Sequence, residues 1–432
     1  MTNKGIALGA VGVLFIATGG YVGATSFVGN TTEERFNELL RQWDEHPEVE
    51  VTDISYEKGL FESKASAILA LESYPEANAV LDLTLSHGMT SNNITGTITP
   101  NSDLISGVID VNMVASSDVL EGSLTADKLT ATDADAELNL LTVDIEVDDR
   151  WSVDGQAEEL RFADKGDVLV VIQPNLGMEA EVGKSMAATY YARIPELTLE
   201  GRSGSAHVRD FEVGGDGVDR GELVDQSAFI KVGDVAIDGT SLLTGEVNLE
   251  MGGWHQAAVE ALQESMTEYQ LGMDNPERLS ADEHDVLQRK WMEQGVASIY
   301  TILGESPTAK IMPMKANINV PMLGVNFEPM LELDVRFNGD ELPKNVVYRS
   351  LWDEQHGKPT NIEGYDALNQ EEAALDLLGR VSGSLTLTTP PPALLSMMPP
   401  EVRYMVDPDK AEQNVQLDEG ELSINGNVIP LL

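Results

Sequence analysis

The sequence predicts a mainly β chain with a helical insert (α+β): a long curved antiparallel sheet that carries a helical hairpin and follows one transmembrane helix. Three observations predict it. Residues 5–28 (GIALGAVGVLFIATGGYVGATSFV) carry no charge. Residues 49–252 alternate apolar and polar with a period of two, the mark of half-buried antiparallel strands. Residues 254–303 switch to the 3.6-residue period of amphipathic helices. The expected divisions are an N-terminal anchor at 1–28, the first part of a β-rich domain at 29–252, an amphipathic helical hairpin at 253–305 and a β-rich C-terminal part at 306–432.

The uncharged run is about 24 residues long, enough to cross ~30 Å of hydrocarbon at ~1.5 Å per residue. Lys4 precedes it and Glu33 and Glu34 follow. The positive-inside rule then keeps the N-terminus in the cytoplasm and places the body outside. A cleaved signal peptide is the competing reading, because Val22-Gly23-Ala24 and Ala24-Thr25-Ser26 resemble small-residue cleavage sites. The run exceeds the ~7–15 residues of a signal core, which favours the anchor. Both readings export the body. The chain has no cysteine, which excludes a lipidated cysteine, disulfides, thiolate zinc sites and cysteine nucleophiles.

Residues 30–46 read as a helix with Phe36, Leu39, Leu40 and Trp43 on one face, ended by Pro47. Alternation then marks strands at Val49–Val51, Ile109–Met113, Ala136–Leu140, Val143–Val147 and Leu197–Leu199. Turn signals fall at Asn92-Asn93, Asp154-Gly155, Asp164-Lys-Gly166, Gly214-Gly-Asp-Gly217 and Asp238-Gly239. Trp254 to Tyr269 forms the first helix of the insert. Ser280-Ala-Asp-Glu283 is a capping box for the second, which runs to about Leu303 through Leu287, Trp291, Ile299 and Tyr300. These stripes suit a hairpin packed on the sheet. Strands resume at Lys310–Val320 and Met330–Phe337. Residues 338–364 read as loop, 365–379 as a short helix, Ser384–Thr388 as a strand and Pro390–Pro400 as an irregular proline-rich segment. The chain closes with a hairpin, Val415–Leu417 and Leu422–Ile424 around Asp418-Glu-Gly420, followed by an Asn425-Gly426 turn.

Asp plus Glu is 73 against 27 Lys plus Arg, a formal charge of −46. Such a balance argues against a nucleic-acid partner, which needs clustered Lys and Arg. It also disfavours docking on anionic headgroups. The acids alternate with apolar residues, as in Val143-Asp-Ile-Glu-Val-Asp148, so they form a solvated surface rather than a disordered tail. Self-repulsion at this charge favours a saline setting that screens it, a halophilic adaptation.

No catalytic or metal constellation emerges. Gly177–Ser185 (GMEAEVGKS) has one residue too many between its glycines for a phosphate loop, and acids where phosphate would be repelled. Gly215-Asp-Gly217 lacks the remaining spacing of a dinucleotide fingerprint, and no G-x-S-x-G elbow is present. His46, His87, His207, His255, His284 and His356 show no ligand spacing. Acid pairs such as Asp133 with Asp135, or Asp149 with Asp154, read as surface charge without the glycine of a calcium loop. The expectation is no catalytic residue, no metal and no cofactor.

Four local patterns, in order along the chain, resemble the YdgA-like family of bacterial envelope proteins, a domain of unknown function. They are Tyr56-x-x-Gly59-Leu60-Phe61-x-Ser63, Ser86-His87-Gly88, Gly253-Trp254-His255 opening a helix after a strand, and the closing Gly420-Glu-Leu-Ser-Ile-Asn-Gly426. Ser86 stands where the family pattern has an acid and Met89 where it has proline. The resemblance implies an inner-membrane protein with its body in the periplasm and no assigned reaction. Read physically, Gly59 and Gly88 allow positive φ or a bulge. Tyr56, Phe61 and Trp254 bury large side chains at sheet–helix contacts, and His87 is a hydrogen-bonded turn residue.

These readings converge on a single-pass inner-membrane protein, held through residues 5–28, that acts as a non-enzymatic scaffold or binds lipid or another hydrophobic ligand. A lipid or an envelope protein is the expected partner, with a homo-oligomer also open. The alternatives are a carboxylate-dependent periplasmic hydrolase, which needs two acids converging in a pocket, and a partner-binding module acting through the 253–305 hairpin.

Overall fold

The computed structural model describes residues 40–41, 49–71, 74–101, 105–116, 119–131, 135–181, 187–202, 204–274, 281–353, 358–359, 361–397, 399, 403, 406–418 and 420–429. The expected anchor at 5–28, Ser280 of the expected capping box and most of the expected 30–46 helix lie outside them. Among the described residues no helix is long and apolar enough to cross a membrane. The chain divides into two compact units: unit 1 is residues 1–214 and 231–243, and unit 2 is residues 215–230 and 244–432.

Unit 1 is an antiparallel meander. Its strands are β1 (Val49–Glu57), β2 (Glu62–Leu71), β3 (Tyr74–His87), β4 (Ser91–Pro100), β5 (Ile105–Ser106), β6 (Ile109–Ser116), β7 (Leu120–Ala131), β8 (Ala136–Val147), β9 (Arg150–Gln156), β10 (Glu159–Asp164), β11 (Asp167–Ile172), β12 (Asn175–Glu181) and β13 (Thr189–Gly201). β14 (Gly204–Asp219), β15 (Leu223–Ile237) and β16 (Thr240–His255) contribute residues to both units. β1, β2, β3, β4, β6, β7 and β8 pair in succession. β8 then takes β9 along its C-terminal half and β10 along its N-terminal half. β9 pairs β12, β10 pairs β11, and both β11 and β12 pair β13. Apolar side chains from β2, β3, β4, β6, β7, β8 and β9 share one core, which also takes Leu40.

Several local expectations change. Ala136–Leu140 and Val143–Val147 are one strand, β8, not two. Leu140 takes φ +48 and faces solvent while Leu141 is buried, so the apolar phase steps by one residue without ending the strand. Asn92-Asn93, Asp154-Gly155 and Gly214–Gly217 are not turns but lie inside β4, β9 and β14. The turns that do form, Lys165-Gly166 and Asp238-Gly239, have positive φ at both residues, the geometry that matches strand twist in a two-residue hairpin.

Unit 2 adds β17 (Thr308–Ile311), β18 (Lys315–Val320), β19 (Val325–Phe327), β20 (Leu331–Phe337), β21 (Val381–Thr388), β22 (Glu412–Asp418), β23 (Glu421–Ile424) and β24 (Asn427–Ile429). Its helices are α1 (Gln256–Asp274), α2 (Ala281–Gly304), α3 (Lys344–Leu351), α4 (Gln370–Gly379) and the one-turn α5 (Pro392–Leu395). The sheet runs β16, β17, β20, β21, β22, β23, β24 in pairing order. Met292 and Val296 of α2 join Phe337, Leu342, Val347, Tyr348, Trp352 and Tyr365 in the core, with Trp291, Ile299, Tyr300 and Leu303 packed against them. Tyr269 of α1 stacks on Trp291 at 5.0 Å.

Here too the structure revises the reading. The segment 338–364 is not all loop: α3 forms because Val346, Val347 and Tyr348 are buried, and packing stabilises a helix too short to stand alone. The 365–379 helix splits into a 3-10 turn, Tyr365–Ala367, and α4. Asn369 Oδ1 accepts from Glu372 N at 2.8 Å, and the Glu372 carboxylate returns to Asn369 N, a capping box that fixes where α4 starts. Lys310–Val320 breaks into β17 and β18 around Pro313, which has no N–H for the ladder. The proline-rich segment opens α5, with proline in its first turn.

Gln413 is the polar centre of the closing hairpin and is 2% exposed. Its Nε2 donates to Thr389 Oγ1 at 2.6 Å and to Asp407 O at 2.8 Å. Its Oε1 accepts from Asp407 N at 2.9 Å and Asn425 Nδ2 at 2.6 Å. All four of its hydrogen-bonding positions are used. Gln413→Leu is expected to lower the stability of unit 2 by about 1–3 kcal/mol, because buried partners lose their bonds. Urea unfolding checks this, and a midpoint unchanged from wild type would contradict it.

Candidate functional site

The first two sequence patterns meet in unit 1. The β1–β2 turn carries Gly59, Leu60 and Phe61, and the β3–β4 turn carries Gly88 and Met89. Antiparallel pairing of β2 with β3 sets Glu62 opposite Ser86, so the two turns lie side by side. Ser63 Oγ lies 2.7 Å from His87 Nε2 and accepts from Gly59 N at 3.2 Å. His87 N donates to Phe61 O at 2.8 Å. Four pattern residues from two separate stretches are thus tied into one hydrogen-bonded cluster.

Neither Gly59 nor Gly88 has positive φ. Both are required for another reason. A Cβ on Gly59 would lie 1.8 Å from Glu62 O, and one on Gly88 would lie 2.2 Å from Ser91 O. Each turn folds its glycine against a carbonyl three residues on. Tyr56 packs partly buried on the unit 1 core. Phe61 does not: its side chain faces solvent, because the turn spends its backbone on His87 and leaves the ring outside the sheet.

A serine hydroxyl within 3 Å of an imidazole has nucleophile–base spacing. Ser63, however, is buried and already bonded to Gly59 N–H, so a substrate carbonyl cannot reach its Oγ. What the pair does physically is hold two turns in register. Ser63→Ala is expected to cost about 1 kcal/mol, from a half-buried Gly59 N–H and a half-buried His87 nitrogen that lose their shared partner. A double-mutant cycle with His87→Ala should show coupling of at least ~0.5 kcal/mol by urea unfolding. Additive losses would contradict the latch.

The other patterns are joints of unit 2. Gly253 takes φ +71 where β16 ends, and its N–H donates to Asp225 Oδ1 at 3.0 Å. Trp254 Nε1 donates to Thr308 O at 3.5 Å. His255 Nδ1 accepts from Ala258 N at 3.3 Å, capping the start of α1. Gly420 (φ +79) turns β22 into β23, and Asn425 (φ +56) with Gly426 (φ +84) turns β23 into β24.

Sequence reasoning missed a feature of β9, β12 and β13. The phosphate-loop-like stretch begins in a strand, with Gly177 in β12 between Asp154 and Tyr191 on its neighbours. The Tyr191 ring lies across Gly177, whose absent side chain makes room for it. Its hydroxyl donates to Asp154 Oδ2, and Asn175 Nδ2 donates to Asp154 Oδ1 at 3.1 Å. Burial, then the Asp154 carboxylate, pushes the Tyr191 phenol up to about 12. A raised folded value means this contribution to stability persists through pH 10 and is lost as pH rises through 12. Ultraviolet titration should therefore show a late-ionising tyrosine that Tyr191→Phe removes. An unchanged late phase would contradict the assignment.

On the adjacent register positions the apolar face opens. Ile145, Val153, Met178 and Tyr190 are directly opposed across β8, β9, β12 and β13. Their exposures are 3%, 4%, 39% and 41%. A second row, Ala136, Phe162, Leu169 and Leu199, crosses β8, β10, β11 and β13. It also begins buried at Ala136 and ends exposed at Leu199. In both rows apolar side chains continue past the point where the core covers them. The signal was present as apolar alternation, but alternation does not show which strands lie beyond the core.

Among the described residues no group of three or more His, Cys, Asp or Glu is arranged to hold a metal ion. The Asp334 carboxyl is held below the usual carboxylate range, mainly by its hydrogen bond to Arg336.

A family model described as a bacterial protein of unknown function, DUF945, matches residues 3–95. The match contains both turns of the Ser63–His87 cluster and ends inside β4. No curated protein matches the chain. No solved structure matches it either.

Proposed function

We propose that this chain is a non-enzymatic envelope protein, held in the inner membrane by residues 5–28 with its body in the periplasm, and that it binds an acyl chain or similar hydrophobic ligand along β12 and β13. The observation that supports this reading is the fall in burial along the row from Ile145 to Tyr190. A soluble sheet normally covers its apolar face, so large apolar side chains that run past the core mark a binding surface. Met178 suits such a ligand, being unbranched and adaptable, and Tyr190 offers an aromatic face with a polar end. Two features support the anchor: the uncharged run itself and the single positive flank at Lys4.

Native mass spectrometry of the full chain released from membranes tests the ligand. The expected result is retained lipid, lost on Met178→Glu with Tyr190→Glu. Lipid-free protein from every membrane source would overturn the reading.

The hairpin alternative has less support. The α2 stripe of Trp291, Met292, Val296 and Ile299 is packed into the unit 2 core, so it is not available to a partner without unfolding that unit.

A further inference from the structure

The paired turns at one end of unit 1 carry an apolar tip. Leu60, Phe61 and Met89 are each at least 77% exposed. Three large apolar side chains on two adjacent turns form a convex prong, not a groove. We propose that this prong inserts into the surface of the lipid bilayer that holds the chain, an inference that rests on the anchoring part of the function proposed above.

Charge and chain length both support lipid as the occupant. The whole chain carries −46, nearly all its charge in the body, which is repelled by anionic surfaces. The tip is an exception. Residues 56–64 hold two glutamates and two lysines, and residues 85–93 hold no Asp, Glu, Lys or Arg. Farther along the same rim the β8–β9 turn carries Asp148 and Asp149, so contact is confined to the first two turns. The described chain begins at Leu40, buried in the same unit 1 core that β2, β3 and β4, strands joined by the two turns, pack on. Only eleven residues lie between Val28 and Leu40, twelve Cα steps with a reach of at most ~43 Å at ~3.6 Å per step. The anchor therefore keeps unit 1, which carries the tip, close to its own bilayer, where a high effective concentration makes weak insertion sufficient. The Ser63–His87 bond keeps the two turns together as a single prong.

The chain has no cysteine, so Met89→Cys accepts one environment-sensitive dye. The test uses the full-length protein in phosphatidylcholine vesicles, with Leu140→Cys as the labelled control in the same unit. The expected result is co-flotation with the vesicles, blue-shifted emission at position 89, quenching by doxyl-labelled lipid, and none of this at position 140. Adding Leu60→Ser and Phe61→Ser should reverse the shift without changing the melting temperature, since both side chains are exposed. A floating protein whose position 89 stays open to aqueous iodide would overturn the inference and leave the anchor standing. Shielding without doxyl quenching would also overturn it, because a second copy or a protein pocket would then cover the tip. A chain that does not float would overturn anchor and tip together.

Discussion

Val143→Asp is expected to abolish the cooperative unfolding of unit 1. Val143 is fully buried at the middle of β8, opposite Leu124 on one side and Gly155 on the other. Neither neighbour can pair a carboxylate. An unpaired buried charge costs more than about 4 kcal/mol, a large part of the ~5–15 kcal/mol that typically stabilises a domain. The expected signature is exposure of Trp151, which shares that core, seen as red-shifted emission without denaturant. Val143→Ala should cost only about 2 kcal/mol, from the lost apolar groups and a small cavity. A Val143→Asp protein with wild-type unfolding would show that the meander does not close over this strand.

Trp352→Ala should have a similarly large effect confined to unit 2. Trp352 is among the largest fully buried side chains and stacks on Tyr348 at 6.2 Å. Removing a buried indole costs about 3–5 kcal/mol. Hydrogen exchange should accelerate in α2, α3 and β20, whose residues form that core. Protection in β2–β9 should remain as in wild type, because their core contains no unit 2 residue. Equal loss of protection in both units would contradict the division into two cores.

The β class and the α1–α2 hairpin were legible because period two and period 3.6 both survive in the side-chain pattern. Asn425-Gly426 was legible as a turn because both residues tolerate positive φ. Asn92-Asn93 carries the same local signal yet lies in a strand, since β3 and β6 pair it on both sides and override propensity; Gly214–Gly217 likewise lies inside β14. α3 was hidden because Lys344–Leu351 shows too short an apolar pattern; its stability comes from Val347 packing in a core assembled from distant residues. In the site, the glycines and His87 were visible, but their reason was not. Close carbonyl approach at Gly59 and Gly88, and the Ser63–His87 bond across 24 positions, depend on β2–β3 register. Phe61 looked like core because aromatic residues usually are, and only the turn's backbone bonding turns it outward.

The account depends most on the uncovered apolar row of β12 and β13. Photocrosslinking the full chain in its own membrane with a diazirine fatty acid tests this directly. Adducts should concentrate on peptides carrying Met178 and Tyr190, with separate sets on residues 5–28 and on the Leu60, Phe61 and Met89 tip in the same bilayer. Adducts restricted to those two sets, or spread evenly over other exposed apolar residues such as Met322 and Val428, would show that the row is bare surface rather than a ligand site.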